Sequence, residues 1–227
     1  VLSSECSKLI GKLSDEKDSI FLKKLKILLG AKDKDEDKDK VTPDQKKIIQ
    51  NILSSHCPNL MGKLSDEKDS IFLKKLKILL GTGDEVTPDQ QKIIQSILSS
   101  CCPELIQKLL EKNEDKQSIF LNRLTKLFEK NNEETTIKIL NAHGAYYIIK
   151  ELLNNESTCK TFLNDVLTNT RLGLDKKKKS QLLIGTLKSN SSEALKKLLL
   201  YKDEKNNYIY LKLLIIKLTT RFKKQYL

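Results

Sequence analysis

The sequence predicts an all-α fold assembled from repeated helical units, and three observations carry that expectation. The stretch GKLSDEKDSIFLKKLKILLG stands at residues 11–30 and again at 62–81 without a substitution. The chain has only 8 Gly, 4 Pro and no Trp, and it is rich in Leu, Ile and Lys, residues that lose little side-chain freedom in a helix. Apolar residues recur at helical spacing within a unit of about 45 residues, a period that signals a stacked array.

The duplication extends beyond the identical stretch. Residues 6–30 match 57–81, and VTPDQKKIIQNILSSHCP (41–58) matches VTPDQQKIIQSILSSCCP (86–103). The two copies differ by an insertion, AKDKDEDKDK at 31–40 against TGDE at 82–85. A diverged third copy, CPELIQKLLEKNEDKQSIFLNRLTKLFEK, runs from 102 to 130. One unit cannot bury its own apolar face, whereas stacked neighbours bury one another, so copying a unit extends a core. Identity at surface positions such as Lys17/Lys68 and Asp18/Asp69 points to a recent copy rather than to function at those residues.

Each unit reads as three helices. In residues 57–100, Pro58 opens a short helix with Leu60, Met61 and Leu64 on one side. The segment IFLKKLKILL has an apolar stripe too wide for one face, so it should be covered on two sides, and Gly81 stops it. Thr87 with Pro88 and Gln90 forms a capping box for a third helix that buries Ile93, Ile94, Ile97 and Leu98.

This order of a short helix and two longer ones resembles an armadillo repeat, as does NAHGAYYIIKELLNNES (141–157), through Gly144, Ala145, Ile148, Leu152 and Leu153. HEAT-type hairpins fit the same lengths; pumilio repeats match HGAYYIIKELL less well, and no base-reading positions recur. The resemblance implies a right-handed α-solenoid of about five three-helix units, the last partial, in one domain. The units are expected near 6–56, 57–101, 102–142, 143–190 and 191–227, with a flexible charged loop at 31–40. The KKKKSQLLIGTLKS segment would be the third helix of the fourth unit.

The net charge is +12, and residues 131–227 carry 18 Lys+Arg against 9 Asp+Glu. Such a region attracts nucleic acid, anionic lipid or an acidic protein face, although solubility alone explains it as well. No apolar run reaches the roughly 18–20 residues of a membrane span. The chain begins at Val1 without a signal peptide, and VLSSEC (1–6) has the phase of ILSSHC (52–57), so the native product is expected to continue upstream or to have been cut there.

Enzyme signals are poor: there is no Gly-rich phosphate loop, HExxH or G-x-S-x-G, and of two histidines, His56 and His143, the latter reads as a turn residue. Cys6, Cys57 and Cys102 hold equivalent positions, preceded by Glu5, His56 and Cys101. Equivalent positions on stacked helices lie about 8–10 Å apart, too far for a disulfide or for one shared zinc, so reduced core cysteines are expected. Five Cys without a framework spacing favour a reducing compartment, hence the cytoplasm, with secretion after removal of an upstream segment as the alternative. Asp33, Asp35, Asp37 and Asp39 are spaced as in an EF-hand loop, but Lys38 stands where its glycine should be and Pro43 intrudes. No metal site and no cofactor is expected.

The expected function is a non-catalytic scaffold that binds a protein or peptide. The armadillo resemblance implies that third helices line the groove, which makes Lys47, Gln50, Asn51, Ser54, Lys92, Gln95, Ser96 and Ser99 the candidate partner-binding residues. The alternatives are an RNA- or DNA-associated protein using the basic C-terminal half, and a secreted repeat protein or effector of a parasite or symbiont. Candidate anion-binding residues are Lys176, Lys177, Lys178 and Lys179, a lysine run at a helix start that opposes the macrodipole, together with Arg221, Lys223 and Lys224. The terminal NYIYLKLLIIKL reads as apolar nearly all round, which makes Tyr208, Ile209, Tyr210 and Ile216 interface candidates, with a second copy of the chain among the expected partners.

Overall fold

The computed structural model describes residues 12–14, 19–30, 40–55, 57–66, 70–83, 85–111, 118–129, 133–169 and 172–225. Expectations that fall on Glu5, Cys6, the phase of the chain start, Lys17, Asp18, residues 31–39, His56, Lys68 and Asp69 lie outside these. The described residues are helical apart from their connections, with an isolated antiparallel bridge between Lys202 and Tyr208. The helices are α1 (Ile20–Leu28), α2 (Pro43–Leu53), α3 (Pro58–Ser65), α4 (Ile71–Leu80), α5 (Pro88–Ser99), α6 (Pro103–Leu110) and α7 (Ile119–Glu129). They continue as α8 (Glu133–Asn141), α9 (Ala145–Asn154), α10 (Glu156–Thr168), α11 (Lys176–Lys188), α12 (Ser192–Leu200) and α13 (Ile209–Gln225).

Local chemistry sets the ends. Ser19, Ser70 and Ser118 stand at equivalent positions, and each hydroxyl accepts from the backbone N–H three residues on while donating back to the carbonyl of Leu13, Leu64 or Leu109. One serine thus starts a second helix and ties it to the first. Gly81 ends α4 at φ +64°, a conformation that L side chains adopt only with strain.

Helices pack in three rows. The short first helices contact one another in the order α3–α6–α9, the second helices in the order α4–α7–α10, and the third helices in the order α2–α5–α8. Apolar side chains between the rows form one continuous core, from Leu25 to Tyr210. Cations fasten successive units. Lys75, buried in α4, donates to the Lys40 carbonyl of the preceding unit, and Lys63 in α3 donates to the Ser14 carbonyl at 2.6 Å. At the position equivalent to Lys75, the buried Arg123 of α7 reaches back to the carbonyls of Leu80 (2.9 Å), Gly81 (3.0 Å) and Glu85 (3.1 Å), and also to that of Gly83. A guanidinium supplies five donors where an ammonium supplies three, so it spans more of the loop.

The C-terminal helices depart from the expected order. α11 packs along α9, as α9 does along α6, and also touches α8; α12 packs against α10, and α13 closes over α11 and α12. α11 therefore extends the row of first helices and α12 the row of second helices. The close approach of α11 to α9 occurs at Gly185, where an added Cβ would stand 2.4 Å from Ile149 Cγ2.

Candidate functional site

The third helices α2 and α5 begin with the same device. The Thr42 and Thr87 hydroxyls accept from the backbone of Gln45 (3.2 Å) and Gln90 (3.3 Å), and those glutamine side chains accept from the threonine N–H groups at 3.1 and 2.9 Å. Identical starts give the two helices the same rotation. Ile49, Ile52 and Leu53 of α2, and Ile93, Ile94, Ile97 and Leu98 of α5, then turn into the core. Lys46 pins the two N-terminal ends through Asp89 at 2.8 Å. That hydrogen bond and the Lys46 charge hold the Asp89 carboxyl below the usual range.

Opposite the core, the row of third helices forms a cleft of about 530 Å3 lined by Gln50, Leu53, Ser54, Lys92, Gln95, Ser96, Ser99 and Lys138. Six of the eight residues singled out in the sequence meet there: Gln50, Ser54, Lys92, Gln95, Ser96 and Ser99. Lys47 and Asn51 are exposed on α2 but do not line the cleft. The α8 wall went unforeseen because EETTIKIL lacks the VTPDQ signature that aligned the other third helices. Glu134 of α8 accepts from Gln95 Nε2 (3.3 Å) and pairs with Lys138 (2.9 Å), while the Ser96 hydroxyl donates to the Lys92 carbonyl of its own helix (2.9 Å). The side chains of Gln50, Ser54 and Ser99 make no hydrogen bond to another described residue, so their amide and hydroxyl groups remain available as donors and acceptors. Lys138 is paired with Glu134, and Lys92 is the second cation of the lining, so the lining residues together with Glu134 carry a net positive charge.

The lysine run is only partly gathered. Asp175 caps α11 by accepting from Lys178 N–H at 2.8 Å, and this bond lowers the pKa of its carboxyl. Lys176 and Lys179 line a cavity of about 340 Å3 with Asp203, Asn207 and Lys212, whereas Lys177 and Lys178 do not. Asp203 accepts from the backbone of Asn207 and Lys205, and Lys212 donates to the Asn207 side chain at 2.8 Å, so local bonds already occupy much of this polar set. Arg221 is exposed on α13 and does not line that cavity, and the side chains of Lys223 and Lys224 lie outside the described residues.

At the start of α13 one of the four interface candidates needs correction. Tyr210 is buried, 1% exposed, with its ring 6.3 Å from that of Tyr201, so it belongs to the core and not to a free face. Tyr208 and Ile216 are exposed, and Ile209 is half-buried. Leu211, Ile215 and Leu218, which the sequence reading passed over, are exposed at i, i+4 and i+7.

Elsewhere, His143 is exposed in the turn before α9, and Cys57 and Cys102 are buried. Burial pushes the Cys102 thiol from 9.0 to about 11, which keeps it protonated and unreactive. Among the described residues no helix is long and apolar enough to cross a membrane. No family model matches the chain, and no curated protein or solved structure was found to be similar to it.

Proposed function

We propose that this chain is a right-handed, armadillo-like α-solenoid that acts as a non-catalytic scaffold, holding an extended acidic segment of a partner protein along its third helices. The observation that carries the reading is the cleft in which Gln50, Ser54, Lys92, Gln95, Ser96 and Ser99 of two successive third helices stand together beside Lys138. Side-chain amides and hydroxyls repeated on neighbouring helices suit the alternating N–H and C=O groups of an extended backbone. The two lysines set the charge preference. The solenoid reading rests on the three helix rows, in which each helix contacts its equivalent in the neighbouring unit, as in quasi-one-dimensional repeats; the contact of α11 with α8 reaches past the two-helix fourth unit. In this reading α11, α12 and α13 are the first, second and third helices of the last unit, and the fourth unit consists of α9 and α10.

Selection from a random-peptide library on the immobilised full chain tests the binding reading. Peptides enriched in Asp and Glu should emerge. Their affinity should fall about tenfold in Gln50→Ala/Lys92→Ala, an effect of about 1.4 kcal/mol, and stay unchanged in Lys47→Ala. A second reading, nucleic-acid binding through Lys176, Lys179 and Lys212, is favoured only by their shared cavity. It predicts tight binding of a single-stranded oligonucleotide with a steep salt dependence. That result, with no peptide selected, would reverse the order of the two readings.

A further inference from the structure

The helices α2, α5 and α8 share one burial register. Ile48, Ile49, Ile52 and Leu53 of α2 recur as Ile93, Ile94, Ile97 and Leu98 of α5 and as Thr135, Thr136, Ile139 and Leu140 of α8. Each set stands at i, i+1, i+4 and i+5, and all its members are buried except the half-buried Ile48. Burial therefore aligns α8 with its neighbours where EETTIKIL carries no shared signature. At 3.6 residues per turn, the residue just before each set points away from the core. That residue is Lys47 in α2, Lys92 in α5 and Glu134 in α8, all three exposed. One place in the row has reversed its charge.

The two charges beside the cleft are not equally engaged. Glu134 accepts from Gln95 Nε2 at 3.3 Å and pairs with Lys138 at 2.9 Å, so a resident carboxylate takes up an amide of α5 and the lysine of α8. Lys92 makes no ion pair among the described residues, and Asp89, one turn before it, is held by Lys46 at 2.8 Å. The row thus offers a free cation on α5 and a carboxylate on the next helix.

A segment lying across the row meets these charges in turn. Packed helices stand about 8–10 Å apart, and an extended chain advances about 3.3 Å per residue. About three residues therefore separate the side chains that face Lys92 and Glu134. We propose that Glu134 is a specificity-determining residue of the cleft: an acidic side chain is taken at Lys92, and a second one three residues away, over α8, is refused. The inference rests on the peptide-binding reading and narrows it, from any acidic segment to one whose acids stop before α8. Gln95 and Lys138, bound to Glu134, are not offered to a second acid, and its approach to Glu134 costs like-charge repulsion. Lysine at position 134 would restore the charge of Lys47 and Lys92 and carry the acidic register across a third helix.

Positional scanning of a library-selected peptide against the full chain tests this. Each peptide residue is replaced in turn by Glu, Gln and Lys, and binding to wild type, Lys92→Glu, Glu134→Gln and Glu134→Lys is measured by fluorescence anisotropy. Both protein positions are exposed, and Glu134→Gln keeps an acceptor for Gln95. The peptide position facing Lys92 is the one where lysine weakens binding to wild type and strengthens binding to Lys92→Glu. Three residues from it, Glu should bind wild type about fivefold more weakly than Gln. Glu134→Gln should erase that difference, and Glu134→Lys should reverse it. If the peptide responds to Lys92→Glu while the Glu134 variants leave every position unchanged, the specificity assignment is overturned and the cleft remains the binding face. If binding is indifferent to Lys92→Glu as well, the cleft reading fails and this inference fails with it.

Discussion

Lys75 and Arg123 occupy the same place in successive units, and each is a buried cation bonded to carbonyls of the unit before it. A buried charge is tolerated only while hydrogen-bonded, so these contacts work as conditions on stacking more than as surplus stability. Arg123→Ala strips the carbonyls of Leu80, Gly81, Gly83 and Glu85 of a charged donor. It should lower stability by about 3 kcal/mol, seen as a reduced urea midpoint. The fate of such a lysine was not legible in the sequence: Lys24 and Lys75 sit in identical twenty-residue stretches, and only the neighbour decides which one is buried. Two buried acids make a further prediction. Burial, first among the causes, raises the pKa of Cys102 to about 11 and that of Tyr210 upward as well. Both groups are neutral when protonated, and the unfolded chain releases these protons at lower pH. Their contribution is therefore complete below the unfolded values and is lost as pH rises through them, from about 8.5 for Cys and about 10 for Tyr. Denaturation midpoints should fall across that range, and Tyr210→Phe should flatten the upper part. A midpoint that rises with pH there contradicts the assignment.

At the scale of elements, capping chemistry was the most legible feature. Thr87, Pro88 and Gln90 announce the start of α5, and both bonds of the capping box are present. Gly81 marks the end of α4 in the same way. The phase of α13 was not legible, because a segment apolar on every side carries no periodicity from which to choose the buried face. Packing on α11 and α12 makes the choice, and it selects Tyr210 over Tyr208. The role of α11 was hidden for a different reason. Its place as the third helical segment after NAHGAYYIIKELLNNES suggested a third helix, whereas Gly185 lets it lie close against α9. Two helix glycines give opposite predictions from one substitution. A Cβ at Gly62 in α3 meets nothing within 4 Å, so Gly62→Ala should stabilise by about 0.5–1 kcal/mol through helix propensity. Gly185→Ala should destabilise by about 1–3 kcal/mol, since the new methyl group would overlap Ile149. Thermal or urea denaturation of the two variants decides between them, and a stabilised Gly185→Ala would show that α9 and α11 lie further apart.

For the molecule as a whole, composition and the helical spacing of apolar residues made an all-helical fold readable in the sequence, and alignment of the tandem copies picked out six of the residues that line the cleft. The third wall of the cleft, Lys138 with its ion-pair partner Glu134 behind it, was not readable, because the diverged third copy keeps α8 without its sequence signature. Stacking explains both outcomes: a third helix must present an apolar side to the core, and its other side is free to change. The central claim is that the row α2–α5–α8 is the binding face. Photo-crosslinking tests it most directly, using a library-selected acidic peptide that carries a benzophenone at successive positions, with the crosslinks mapped by mass spectrometry. Crosslinks should fall on residues 50–54, 92–99 and 134–138 and move along the row as the benzophenone moves along the peptide. Crosslinks concentrated on α4 and α7, or on the basic set around Lys176 and Lys212, would contradict it.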